Sequence, residues 1–347
     1  MASETITEVL VDQAARRPSA AAFSVTDPVG VTTILTYGEL LERSLRVAVG
    51  LRERGLRRGD RVLICLPTCA EVLSSFYGTL LAGGVCVPVY PPLSPLGLGR
   101  WKRRVGAIAR VAQPCGAVMS REGRLHMAAV LEQHGQDLFT VSPDQVQGHG
   151  RGEAEEVEPA DLAFIQFTSG TTRAPRGVSV TQAALMANIQ ALVEVMALDE
   201  SDVSVSWLPP YHDMGLVGHI FVPVQQAVHQ HLMPPTAFVR DPVCWLQKIY
   251  ETGATQTTAP NFAFSMCLRR ISSGDRQGLD LSSLRQTLNG AELVQARTLR
   301  EFAEAFAPSG FSADTFRPVY GLAEATLAAT FSPAGGARVD HVDRHHL

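Results

Sequence analysis

The stretch Leu162-Ala163-Phe164-Ile165-Gln166-Phe167-Thr168-Ser169-Gly170-Thr171-Thr172-Arg173-Ala174-Pro175-Arg176-Gly177 holds the change of character that decides how this chain is read. The apolar run 162–167 reads as a buried strand. It passes directly into a turn of small hydroxyl residues and two glycines, with Arg173 and Arg176 beside them. A loop of that composition aims backbone N–H groups and hydroxyls at one point, and the arginines add charge, so it reads as a phosphate cradle. Gly, Ser and Thr also make ordinary turns, so the weight of this reading depends on the rest of the chain.

Helix and strand signals alternate on both sides of it. Thr36-Tyr37-Gly38-Glu39 forms a capping box, followed by Tyr37, Leu41, Leu45 and Ala48 at helical spacing as far as Gly55. Strands are expected at 61–66 and 85–90 around a helix over 70–82, a βαβ unit with a right-handed crossover, and again at 116–119 and 138–141. Between 142 and 159 the composition turns to Gln, Gly, His and Glu without a hydrophobic period, which predicts a linker between subdomains 1–158 and 159–347. Beyond it, strands are expected at 203–207, 231–233, 254–258, 284–288 and 318–320, and helices at 182–196, 242–251, 262–271 and 295–306. Such alternation predicts an α/β fold of parallel sheets with helices on both faces.

Composition sets bounds on function. The 347 residues are 46% hydrophobic and 18% charged, enough to bury large cores. A net charge of −4 gives no support for nucleic-acid binding or membrane-surface attachment. Lys102 and Lys248 are the only lysines, so arginine carries nearly all the positive charge. The six cysteines lie mostly in apolar runs without a Cys-x-x-Cys pair and read as reduced, buried thiols, which suits a cytoplasmic protein. The start of the chain has no signal-peptide pattern, and its apolar stretches are too short to insert in a membrane.

Three further clusters each follow a predicted strand, at the edge where open α/β sheets bind ligands. They are Pro209-Pro210-Tyr211-His212-Asp213-Met214-Gly215, Asn289-Gly290-Ala291-Glu292 and Tyr320-Gly321-Leu322-Ala323-Glu324. Each has a plain alternative: His212 and Asp213 as a surface pair, Asn289-Gly290 as a turn, Tyr320 as core. Their order and shared placement favour a site. A P-loop reading of Gly170–Gly177 fails, because no Lys-Ser or Lys-Thr follows.

With these motifs the chain resembles the adenylate-forming (AMP-binding) superfamily over almost its whole length, and within it the fatty acyl-AMP ligases. The resemblance implies a layered αβαβα domain of two doubly wound, mostly parallel sheets. It also implies carboxylate attack on the α-phosphorus of ATP, giving acyl-adenylate and pyrophosphate, with Mg²⁺ as cofactor. On this basis Thr168, Ser169, Gly170, Thr171 and Thr172 hold the phosphates, and Arg176 stands where many relatives have lysine. Arg173 stands where glycine is common. Glu324 and Thr172 associate with Mg²⁺, while Asn289, Gly290, Ala291, Glu292, Tyr320 and Gly321 form the adenine side. His212 lies between the acyl carboxylate and the α-phosphate, giving His212, Arg176 and Glu324 as the catalytic set. The apolar stretch 259–264 and Met233 are candidate acyl lining, with plain core as the alternative.

The implied partners are a fatty acid and an acyl carrier protein or a polyketide or peptide synthase. Relatives continue past the equivalent of Leu347 into a β-rich subdomain and a small domain that carries a lysine assisting adenylation. The chain is therefore expected to be an N-terminal portion that is poorly active alone. Acyl-CoA synthetase chemistry and a non-catalytic nucleotide- or acyl-binding module are the alternatives.

Overall fold

The computed structural model describes residues 3–92, 95–134, 138–148, 152–168, 175–340 and 342. Its strands are β1 (Ala21–Thr26), β2 (Thr32–Thr36), β3 (Arg61–Cys65), β4 (Val85–Pro88), β5 (Gly116–Met119), β6 (Phe139–Val141) and β7 (Leu162–Thr168). They continue with β8 (Arg176–Thr181), β9 (Val203–Ser206), β10 (His229–Leu232), β11 (Gln256–Ala259), β12 (Gln286–Asn289), β13 (Phe316–Gly321) and β14 (Ala328–Phe331). Two sheets result. One has six strands in the order β6-β5-β3-β4-β7-β8, and the other has eight in the order β14-β13-β12-β11-β9-β10-β1-β2. Pairing is parallel within both, except for antiparallel edge pairs β7–β8, β1–β2 and β13–β14.

The cores give the layering. A central core joins residues of both sheets, such as Val62, Ile64, Phe23 and Leu232, to the helices Tyr37–Glu53, Ala70–Leu81 and Gln182–Met196 that lie between them. Helices Val243–Thr252, Asn261–Arg270 and Ala296–Phe306 cover the far side of the eight-stranded sheet. Helix Leu98–Ala112 covers the far side of the six-stranded one through Trp101 and Val105. This is the expected α–β–α–β–α stack, with the central strands of each sheet, such as β3 and β11, buried on both faces as parallel sheets require.

Local signals explain the elements. The Thr36–Glu39 capping box is reciprocal: Glu39 N donates to Thr36 Oγ1 at 3.2 Å, and Thr36 N donates to Glu39 Oε2 at 3.0 Å. The outer core of the eight-stranded sheet is aromatic, with Trp207 stacked on Phe238 at 4.0 Å and Phe264 edge-on to both Phe302 and Phe316. Edge-to-face contact of this kind adds about 0.5–1.5 kcal/mol per pair to burial.

Two features differ from the sequence expectation. The sheets do not divide at residue 158, since β1 and β2 join the eight-stranded sheet and β7 and β8 close the six-stranded one. The polar segment 142–159 is a strap where its described residues can be followed. Val146 is fully buried, Arg54 Nη2 donates to Gln145 O at 2.6 Å, and Arg52 Nη2 donates to Glu153 O at 2.7 Å. Its backbone, not an apolar period, docks it on helix Tyr37–Glu53.

Candidate active site

Parallel pairing of β9, β11, β12 and β13 carries their carboxyl ends to one edge, with Ala259 opposite Asn289 and Asn289 opposite Pro318. The segments that follow β9, β12 and β13 therefore meet there. After β9 the chain turns through a bond from His212 N to Pro209 O (3.1 Å) and enters a short helix, Asp213–Leu216. His212 precedes this helix and is exposed. Asp213 Oδ1 accepts from Met214 N at 2.8 Å. The Asp213 carboxylate thus serves its own helix start, and no hydrogen bond joins it to the His212 ring among the described residues.

A π-helical turn, Val217–Phe221, continues that short helix, and Val222–Gln226 follows as α-helix. Turns of this wide type recur at functional sites.

After β12, Asn289 is fully buried, and its side-chain oxygen and nitrogen have no hydrogen-bond partner among the described residues. A Cβ on Gly290 would stand 2.8 Å from Val319 O. Ala291 takes φ +66°, a left-handed conformation that lets the chain double back. Glu292 Oε1 accepts from Phe262 N at 2.5 Å, and Asn261 Oδ1 accepts from Gln295 N at 3.0 Å. Glu292 thereby braces the loop against the start of helix Asn261–Arg270.

After β13, Leu322 N bonds to Leu327 O (2.9 Å) and folds the chain back into β14. A Cβ on Gly321 would lie 2.0 Å from Leu327 O, so the protein's own backbone already demands glycine there. Tyr320 remains 61% exposed. Glu324 is exposed, and its carboxylate forms no ion pair among the described residues.

These segments enclose a cavity of about 230 Å³. His212, Ala291, Tyr320 and Gly321 all line it, joining residues from three separate motifs. Asn289, Gly290, Glu292, Glu324, Thr168 and Arg176 do not. Helix Gln182–Met196 adds Leu192 and Met196, the π turn adds Gly218 and His219, and β11 adds Gln256 and Thr258. Sequence reading missed these residues. Met233, Ala259, Ala263 and Phe264 pack into the outer aromatic core, so the plain-core reading of 259–264 and Met233 is the one the packing supports.

The six-stranded sheet contributes the hairpin β7–β8. Thr168 pairs with Arg176 at the last described rung, and Arg104 Nη2 donates to Thr168 O at 2.7 Å. Ser169, Gly170, Thr171, Thr172 and Arg173 lie outside the described residues. The exposed Arg176 makes no ion pair among the described residues. Gln166 Nε2 of β7 donates to Tyr211 O at 3.0 Å, tying this hairpin to the His212 segment.

A family model described as AMP-binding enzyme matches residues 10–345. The chain belongs to the AMP-binding enzyme family. Within that family it is 34% identical to a Mycobacterium tuberculosis protein named as the putative fatty-acid–CoA ligase FadD21, over 94% of this chain and 58% of that protein. It is 33% identical to JamA of Moorena producens, named as a medium-chain-fatty-acid–[acyl-carrier-protein] ligase, over 87% of this chain and 51% of that protein.

A solved Legionella pneumophila fatty acyl-adenylate ligase, in complex with acyl adenylate and pyrophosphate, superposes with a TM-score of 0.89 at 30% identity. It covers 96% of this chain and 58% of that one. The chain thus spans little more than half the length of these relatives.

No group of three or more His, Cys, Asp or Glu able to hold a metal occurs among the described residues. An unpaired carboxylate such as Glu324 fits Mg²⁺ in the manner of ions carried largely by phosphate oxygens. No helix among the described residues is long and apolar enough to cross a membrane.

Proposed function

We propose that this chain takes part in ATP-dependent activation of a fatty acid, forming acyl-adenylate and pyrophosphate for transfer to an acyl carrier protein. The observation that carries the reading is the meeting of His212, Ala291, Tyr320 and Gly321 around one largely apolar cavity at the sheet edge. Ligands of open α/β sheets bind at that edge.

In this reading the acyl chain enters among Leu192, Met196 and Val222, and its carboxylate faces His212. The exposed Tyr320 ring offers a stacking face to adenine beside Ala291. Thr168, Arg176 and residues 169–172 receive the phosphates; Arg176 presents a broad planar donor to the leaving pyrophosphate. Glu324 and Thr172 would hold Mg²⁺ together with the phosphates, and the ion would supply charge neutralisation at the phosphoryl oxygens when bound. Fixed donors at developing charge form the largest class of catalytic contribution. His212 orients the carboxylate or stabilises the charge that builds beside it.

The test is ATP–pyrophosphate exchange with a panel of fatty acids and Mg²⁺, using the natural protein that contains this chain. Acid-dependent exchange is expected, and absence of exchange with every acid overturns the reading. The similarity to a protein named as a fatty-acid–CoA ligase supports a second reading, acyl-CoA formation. Product analysis with CoA and with a carrier protein as acceptors separates the two.

A further inference from the structure

Part of the cavity lining is polar, although most of its wall is apolar. His219, in the middle of the π turn, is only 4% exposed and lines the cavity. Its Nδ1 lies 3.2 Å from Gln230 Oε1 and 3.5 Å from Ser204 Oγ. The Gln230 amide is itself oriented, because its Nε2 donates to Ser204 O at 3.3 Å and to His231 O at 2.9 Å. Gln230 Oε1 is therefore an acceptor, and His219 Nδ1 must carry the proton it accepts.

Burial pushes the His219 pKa down to about 4, so the ring is neutral and Nε2 holds a lone pair. That nitrogen has no partner among the described residues. Gln256 and Thr258 also line the cavity and are buried. They stand two apart on β11 and so share one face. Their side chains make no hydrogen bond among the described residues.

Three buried polar side chains thus open unspent hydrogen-bonding capacity onto one space. Buried polar groups are normally paired, so a partner is expected from the occupant. Among the described residues that line the cavity, only Asp213 is an acid and none is Arg or Lys. A neutral hydroxyl suits a neutral acceptor and a neutral amide better than a charged group does.

We propose that this cavity selects a hydroxylated acyl chain over an unsubstituted one of equal length, the substrate O–H donating to His219 Nε2 and its oxygen accepting from both Gln256 and Thr258. This rests on the reading of the cavity as the acyl site. A site built to bond a hydroxyl discriminates strongly against the analogue lacking it, because its own groups are then left unpaired.

The test is calorimetric binding of non-hydrolysable acyl-sulfamoyl-adenosines to the natural protein that contains this chain. The panel is one saturated chain and its monohydroxy isomers, with the hydroxyl stepped along the chain. One isomer is expected to bind at least about tenfold tighter than the saturated analogue. The hydroxyl-to-alkyl affinity ratio should fall to about one in His219→Leu and partway in Thr258→Val. Thr258→Val serves as the test should circular dichroism show His219→Leu to be misfolded. Equal affinity for all members overturns the proposal and leaves the acyl site standing, as does a ratio unchanged in a folded variant. Failure of every analogue to bind refutes the acyl-site reading, and this proposal with it.

Discussion

The carboxyl edges of the two sheets are built differently. At the eight-stranded sheet, parallel neighbours deliver three motifs to one cavity, and each segment is wedged by backbone. Gly290 lies against Val319, Gly321 against Leu327, and Glu292 bonds to Phe262 N. At the six-stranded sheet, a single antiparallel hairpin reaches out, its last described rung being Thr168 with Arg176, steadied by Arg104. The first edge is continuous with the core, so changes there act on fold and binding together. At the second, Arg176 is exposed and makes no ion pair among the described residues, so its side chain is free to act on ligand charge without disturbing the stack.

The largest expected effect tests the first half of that contrast. Gly321→Ala sets a Cβ where Leu327 O already lies, and should cost about 3 kcal/mol in urea unfolding while abolishing adenylate-analogue binding. Full stability in this variant would break the contrast. A pH titration comes next. Burial lowers the His219 pKa to about 4, and burial with nearby His229 and Lys248 lowers that of His231 to about 4 as well.

Both groups take up protons more readily when unfolded, near pH 6.5. Their contribution is therefore complete above about pH 6.5 and is lost as pH falls toward 4. The unfolding free energy from urea melts should drop across that window by about 3 kcal/mol, the size of one such shift, because solvent screens the partly exposed His231. A flat profile would show that these histidines are not held neutral.

Arg176→Ala should cut pyrophosphate exchange about tenfold and change stability by less than about 0.5 kcal/mol, with Arg176→Lys recovering most of the loss. Unfolding of Arg176→Ala on the scale of Gly321→Ala would erase the difference between the edges. The smallest effect is Arg104→Ala, which removes the donor to Thr168 O and should destabilise by about 1 kcal/mol, with weaker ATP binding by calorimetry.

Much of this was legible in the sequence where signals were local. Apolar runs such as 61–66 and helix 182–196 read directly, and the motif residues His212, Ala291, Tyr320 and Gly321 do meet at one cavity. Strands β1, β2 and β8 were not legible: β2 and β8 are mostly exposed or half-buried, and β8 begins inside the phosphate-loop motif. Segment 142–159 read as a linker because backbone and arginine contacts hold it, and those have no periodicity. His219, Gln256 and Thr258 sit at core-like positions in helix and strand. A signal existed, since polar side chains two apart in a buried strand and a histidine within an apolar helical run both call for partners. Only the fold shows that, among the described residues, none of the three is fully paired by protein.

The pairing of β1 with β10 also sets a timetable. Phe23 registers with Gln230, roughly 200 residues later, which at 5–20 residues per second of synthesis is roughly 10–40 s. For that interval the β1–β2 ribbon has an open edge, with Phe23 and Val25 awaiting their final neighbours. The far edge of the larger sheet is therefore completed late. A nascent chain held on the ribosome short of His229 should present that ribbon to chaperones, a vulnerability written into the strand order rather than into any single residue.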